Sequence, residues 1–177
     1  MRIIAGKFKK TNLFPVPGNT ARPTTDYVKE LIFSTIFSCT DNIVLDLFAG
    51  SGSLGLEALS RGAQKVFFIE FSNKSVGTVI KNIGKLRCED KCKVYKRKVS
   101  AFLKSSDEKF DLIFMDPPYN KNLINETLEQ ISDNKLLSPI GKIVVEHSDR
   151  EKISDKFAEK ITKQKKAGNT LITILEL

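Results

Sequence analysis

With 177 residues, 41% of them hydrophobic and 28% charged, the chain can build one domain with a real core, and it has no apolar run near the ~20 residues a bilayer span requires. The first residues, from Met1 to Lys7, lack the apolar stretch of a secretory signal, so a cytoplasmic protein is expected. The net charge of +8 is uneven: residues 1–30, 81–104 and 152–166 are basic and residues 105–151 acidic, which suits a polyanion approaching a site that carries carboxylates, or else a set of solvated lysine faces.

The first 23 residues hold Pro15, Pro17, Gly18 and Pro23 and alternate only over residues 2–8. They read as an N-terminal arm with a short strand or hairpin, ahead of one compact unit over residues 24–177. A helix follows. Asp26 lies in its first turn, and Val28, Leu31, Ile32, Thr35 and Ile36 share a face.

From there strand and helix alternate. Strands are expected over residues 43–48, 65–70, 93–96, 110–115, 142–147 and 170–175, and helices over 53–60, 72–86, 123–131 and 149–158. The nearly continuous apolar runs of the central strands belong to a parallel sheet covered on both faces. Such an alternation gives a doubly wound α/β sheet, whose ligands bind beyond the carboxyl ends of the strands.

Two segments at such ends carry chemistry. Residues 50–55 read Gly-Ser-Gly-Ser-Leu-Gly between a strand and a helix, a turn in which the backbone can approach a ligand closely. Glu70, ending the next strand, is a carboxylate that can accept hydrogen bonds from ribose hydroxyls. This pair points to an adenosine-containing ligand, either a dinucleotide or S-adenosylmethionine. The second segment is Asp116-Pro117-Pro118-Tyr119. An exocyclic amine on a base is a poor nucleophile, because its lone pair is delocalised into the ring. Asp116 and a carbonyl of the proline pair can hold such an amine with its lone pair aimed at an electrophilic methyl, since prolines have no N–H to occupy the loop's acceptors. Tyr119 offers a ring for stacking. A third segment, Arg22-Pro23-Thr24-Thr25-Asp26, opens a helix and can cap it or take an anion. Cys39, Cys88 and Cys92 are an odd number, and His147 is the only histidine, so no metal site is expected; His147 reads as structural.

Together these residues resemble the small-subunit ribosomal RNA guanine-N2 methyltransferase family (RsmD-type) over nearly the whole chain. The resemblance rests on Arg2-Ile3-Ile4-Ala5-Gly6, on residues 22–26, on Leu45-Asp46-Leu47-Phe48-Ala49-Gly50-Ser51-Gly52, on residues 54–62, on Glu70 and on residues 116–119. Asp-Pro-Pro-Tyr is shared by many amino-methyltransferases, so the arm and the segment at 22–26 discriminate.

The resemblance implies a Rossmann-like, seven-stranded, S-adenosylmethionine-dependent (class I) methyltransferase sheet with its last strand antiparallel. It implies transfer to N2 of a guanine in 16S rRNA, at position 966 in the usual ribosomal numbering, with S-adenosyl-L-homocysteine as product. It implies action on the RNA within a partly or fully assembled small subunit, and the chain is expected to act as a monomer. The implied cofactor set is Asp46, Phe48, Ala49, Gly50, Ser51, Gly52, Glu70, Phe71 and Asp116, with residues 48–52 on the methionine part and Glu70 on the ribose. Asp116, Pro117, Pro118 and Tyr119 would hold the target guanine. Arg2, Lys7, Lys9, Lys10, Arg22, Thr24, Thr25 and Tyr119 would touch RNA. One departure is visible: many such enzymes carry Asp or Asn after the third strand for the adenine amino group, and Lys98, which cannot accept a hydrogen bond, stands there.

Other readings each leave a feature unexplained. A DNA adenine-N6 or cytosine-N4 methyltransferase would carry a sizeable target-recognition insert, which this chain lacks. A nicotinamide-dependent oxidoreductase would leave Asp-Pro-Pro-Tyr without a role. A non-catalytic RNA-binding module would not need the intact glycine loop and Asp116.

Overall fold

A computed structural model describes residues 1–18, 25–36, 38–118 and 123–177. Its strands are β1 (Ile43–Leu47), β2 (Lys65–Glu70), β3 (Cys92–Lys96), β4 (Phe110–Met115), β5 (Leu137–Ser148), β6 (Ile161–Ala167) and β7 (Thr170–Leu175). Its helices are α1 (Asp26–Thr35), α2 (Ser53–Ser60), α3 (Asn73–Leu86), α4 (Val99–Leu103) and α5 (Leu123–Asp133). The strands form one sheet in the order β3-β2-β1-β4-β5-β7-β6. Pairing is parallel from β3 through β5, and β7 runs antiparallel to both β5 and β6. The strand order reverses between β1 and β4, the place where open α/β sheets leave a crevice.

Strand side chains alternate between two cores, one on each face. Val44, Val66, Phe68, Leu112, Phe114 and Val144 pack with residues of α1, α2 and α3, together with Ile3 and Leu13 of the arm. Leu45, Leu47, Phe67, Ile69, Ile113, Met115 and Val145 pack with Phe102 and Leu103 of α4 and Ile124, Leu128 and Ile131 of α5. Burial on both sides is why the central strands lack polar alternation.

The arm folds back as a hairpin closed by a single antiparallel bridge, Arg2 to Asn12. Ile3 N–H donates to the Thr11 carbonyl at 2.9 Å and Lys10 N–H to the Ile3 carbonyl at 2.9 Å. Residues 5–10 are turn rather than strand, so pairing is shorter than the alternation over 2–8 predicts. The turn seats on the end of α2: Lys7 N–H donates to the Ser60 carbonyl at 2.7 Å, Phe8 N–H to Ser60 Oγ at 2.9 Å, and Ser60 Oγ to the Ala5 carbonyl at 2.5 Å. Gly6 sits there with φ +80°, and a Cβ on it would fall 1.8 Å from the Ser60 carbonyl oxygen, so no other residue fits.

Two expectations are corrected. No α-helix spans residues 149–158; the chain makes a turn and then a 3-10 helix at Asp155–Lys160. Next comes β6, which the pattern did not announce. Its side chains are almost all exposed lysines and polar residues, and it exists because its backbone completes the ladder to β7.

Gly55, in the first turn of α2, lets that helix approach the sheet. An added Cβ would lie 2.5 Å from Phe68 Cε1, 2.8 Å from Val66 Cγ1 and 3.0 Å from Asp46 Oδ2. Gly55→Ala is expected to cost about 1–3 kcal/mol through overpacking. Chemical denaturation measures it, and wild-type stability would mean that α2 is free to shift.

Candidate active site

The carboxyl ends of β1, β2 and β4 open into one cleft of about 980 Å³. After β1 the chain turns sharply: Phe48, Gly50 and Gly52 have φ of +60°, +58° and +79°. Positive φ on a residue as bulky as Phe is a strained state, held in place by its surroundings. Ala49 N–H donates to the Ile69 carbonyl at 3.1 Å, and Gly52 N–H closes the turn on the Ala49 carbonyl at 2.7 Å.

Glu70 is the bracket of the site. Its Oε2 accepts from Gly50 N–H at 2.9 Å, and its Oε1 from Phe71 N–H at 2.7 Å and Ser72 N–H at 2.8 Å. An ionised carboxylate has about four acceptor positions. These bonds occupy three of them and tie the β1 loop to the β2 end, leaving room on Oε2 for one further donor from the cleft.

Asp46 is buried at the floor, with Oδ2 accepting from Gly55 N–H at 2.9 Å. Burial pushes its carboxyl well above the ordinary range, and the nearby negative charges of Asp116 and Glu70 push the same way, against the Gly55 hydrogen bond. The like-charge effect places the carboxylates of Glu70, ending β2, and Asp116, after β4, within electrostatic reach of Asp46. Carboxylates so placed favour a cationic ligand.

Asp116 follows β4 on the cleft wall, half-buried, with Pro117 buried and Pro118 exposed beside it. Tyr119, Arg22 and Thr24 lie outside the described residues. Thr25 caps α1, its hydroxyl accepting from Val28 N–H at 3.2 Å. Arg2 is exposed and pairs with Asp26 at 2.9 Å, and Lys7, Lys9 and Lys10 are exposed on the hairpin turn. Thus the structure brings Asp46, Phe48, Ala49, Gly50, Ser51, Glu70, Phe71 and Asp116 to one cleft, while Gly52, which closes the turn, and the described cations of the hairpin lie outside its lining.

Several lining residues escaped the sequence reading. Met1, Pro15 and Val16 bring the arm to the cleft, and Glu126, Thr127 and Gln130 present one face of α5 to it. The α5 signal was present as polar residues at i, i+1 and i+4, but such a stripe is usually a solvated face. Lys98, Val99 and Ser100 line the cleft beyond β3, and the Lys98 ammonium lies 5.8 Å from the centre of the exposed Phe71 ring.

His147 is structural. The two carbonyls of Ser148 and Glu151, at 3.0 and 3.1 Å from Nδ1, require a proton there. Nε2 is then the acceptor for the Thr173 hydroxyl at 2.9 Å, and that oxygen in turn accepts from Gln164 Nε2 at 2.9 Å. This chain of bonds ties β5 to β7 and β6. Among the described residues, no cluster of His, Cys, Asp and Glu is arranged to hold a metal ion, and no helix is long and apolar enough to cross a membrane.

Residues 1–176 match the family model described as Conserved hypothetical protein 95. Ribosomal RNA small subunit methyltransferase D of Haemophilus influenzae is 37% identical over 150 residues, covering 82% of this chain and 78% of that protein. The protein of the same name from Escherichia coli K12 is 37% identical over 148 residues, covering 82% and 74%. The solved structure of yhhF from Escherichia coli superposes with a TM-score of 0.86 at 34% identity, covering 98% of this chain and 96% of that one.

Proposed function

This chain belongs to the Conserved hypothetical protein 95 family, the RsmD-type family, and on that premise we propose that it is an S-adenosylmethionine-dependent methyltransferase acting on the exocyclic N2 amine of a guanine in small-subunit ribosomal RNA. The observation that carries the reading is the convergence of the Glu70-braced glycine loop and the Asp116-Pro117-Pro118 segment on one cleft at the strand-order reversal. The names of the relatives support an RNA substrate from the small subunit.

The residues fit the cofactor. A positive sulfur and an ammonium group suit a cleft floored by Asp46, Glu70 and Asp116. The free position on Glu70 Oε2 suits a ribose hydroxyl, the exposed Phe71 ring suits a flat adenine face, and the turn at Phe48, Ala49, Gly50, Ser51 and Gly52 suits the methionine part. When bound, S-adenosylmethionine supplies a methyl group open to in-line attack, leaving S-adenosyl-L-homocysteine.

The chain's own part is orientation. Asp116 and a carbonyl of the Pro117/Pro118 segment accept from the two N–H bonds of the target amine, and Tyr119 stacks on the base. Holding the amine this way turns its lone pair toward the cleft and supplies the rate advantage of a fixed geometry. No strong base is required, because the amine becomes acidic as it is alkylated and its proton then leaves to Asp116 or solvent. Residues 1–23, with Arg2, Lys7, Lys9, Lys10 and Arg22, serve as an RNA-contacting arm on the methyltransferase unit of residues 24–177, and Thr24 and Thr25 flank it. Phosphate contacts of this kind position RNA without reading its sequence. The protein acts as a cytoplasmic monomer on a partly or fully assembled subunit.

The test is transfer from labelled S-adenosylmethionine to small ribosomal subunits lacking native methylation, followed by nucleoside analysis. Label in N2-methylguanosine at one site is expected. Label in N6-methyladenosine or N4-methylcytidine would overturn the guanine assignment, and no transfer to any RNA would overturn the activity.

A further inference from the structure

Past Leu13 the arm runs along α3, where Phe14, Pro15 and Pro17 face Thr78, Lys81 and Lys85 across a second, shallower groove of about 610 Å³. Pro15 also lines the cofactor cleft, so the two sites share a wall. Phe14 leaves 47% of its surface exposed, yet its backbone is clamped on both sides: its N–H donates to Asn82 Oδ1 at 2.7 Å and its carbonyl accepts from Asn82 Nδ2 at 3.1 Å. Asn82 is fully buried, and its Nδ2 also donates to the Ser51 carbonyl at 2.9 Å, inside the glycine loop. A buried amide, costly to desolvate, is thus used to hold an exposed aromatic residue beside the cofactor loop.

The opposite wall is cationic. Thr78, Lys81 and Lys85 recur at i, i+3 and i+7 on one face of α3. The Lys85 ammonium lies 4.7 Å from the Phe14 ring centre, and neither Lys81 nor Lys85 makes an ion pair among the described residues. An exposed ring on a clamped backbone, beside cations that have no ion pair among the described residues, is the chemistry that binds a single-stranded nucleotide, through base stacking and phosphate neutralisation.

We propose that this groove is a second nucleotide subsite, which takes an unpaired RNA nucleotide neighbouring the one held at Asp116, with its base on Phe14 and its phosphates on Lys81 and Lys85. It rests on the RNA-methyltransferase reading above. Because Pro15 and Asn82 connect the groove to the cofactor loop, occupancy here positions the RNA strand relative to the cleft.

The test uses the full chain and a fluorescent single-stranded RNA dodecamer containing guanosine and uridine, with the same sequence as a duplex for comparison. Phe14→Ala is expected to weaken single-strand binding about 5- to 100-fold, with Phe14→Trp retaining it. Lys81→Ala/Lys85→Ala is expected to flatten the slope of log K against log salt by about 1.4. Affinity for S-adenosylhomocysteine, read by calorimetry, and melting temperature should stay at wild-type values, and KM for small subunits should rise more than kcat falls. Wild-type RNA affinity and salt slope in both variants would overturn the subsite, even if the enzyme methylates ribosomal RNA. Loss of dodecamer binding in Phe14→Ala, with no methyl transfer by the wild type to any RNA, would instead overturn the activity and leave the subsite standing.

Discussion

Glu57→Ala should lower stability by about 3–5 kcal/mol and release the N-terminal arm. Glu57 is fully buried in α2 and accepts three hydrogen bonds: from Ile4 N–H at 2.7 Å, Ala5 N–H at 3.0 Å and Arg61 Nε at 2.8 Å. Lys29 of α1, equally buried, lies 3.9 Å from the same carboxylate and donates to the Arg2 carbonyl. Truncation leaves two arm N–H groups unpaired and a buried ammonium without its counter-charge, and each is costly. Burial already lowers the Lys29 pKa from its ordinary 10.5, with Glu57 the chief opposing influence, so the variant loses what keeps that ammonium charged. The pH dependence follows from this. The folded Lys29 gives up its proton at lower pH than the unfolded one, so unfolding takes up a proton between the two pKa values and stability rises with pH in that window. Without Glu57 the folded pKa of Lys29 falls further, so the variant's window opens at lower pH than the wild type's, and the deficit of Glu57→Ala should shrink as pH rises from the variant's folded pKa to the wild type's, both below 10.5. Urea midpoints at pH 7 and 9 measure it. A loss below about 1 kcal/mol would mean that the arm is held by its apolar contacts, chiefly Ile3 and Leu13, and not by this node.

Asp116→Ala is expected to reduce methyl transfer about a thousandfold or more, with S-adenosylhomocysteine binding largely preserved. Asp116 stands at the end of β4 beside two prolines that donate no hydrogen bond, so the loop is rich in acceptors where an amine must be turned. Loss of one acceptor frees the amine to rotate, and misorientation acts on kcat more than on ligand binding. The proposed cofactor cleft keeps Asp46, Glu70 and the glycine loop. Removing the Asp116 charge also eases the upward push on Asp46, whose larger cause, burial, remains. Asp116→Asn separates the two effects, since it keeps one acceptor oxygen and loses the charge. Single-turnover rates with calorimetry on the same preparations decide the matter, and full turnover by Asp116→Ala would remove this residue from the chemistry.

Much of this molecule is written locally. The runs that became β1, β2 and β4 are apolar without alternation because both faces are covered, and a window of five or six residues suffices to read that. The glycine turn, Glu70 and Asp116-Pro117-Pro118 are short segments at strand ends, and the rule that ligands sit beyond those ends brings them together without coordinates. What failed locally depended on partners far along the chain. β6 carries Thr162, Lys163, Gln164, Lys165 and Lys166 outward at a sheet edge, so no apolar period marks it, and the ladder from β7 makes it a strand. Residues 149–158 carry polar and charged side chains that suit a helix surface, yet the chain must turn there to bring β6 back alongside β7. Glu57 and Asn82 look like ordinary polar helix positions. Their burial and their grip on the arm come from residues 52 to 68 positions away, and no periodicity within a helix encodes a hydrogen bond to a backbone that arrives from another part of the fold.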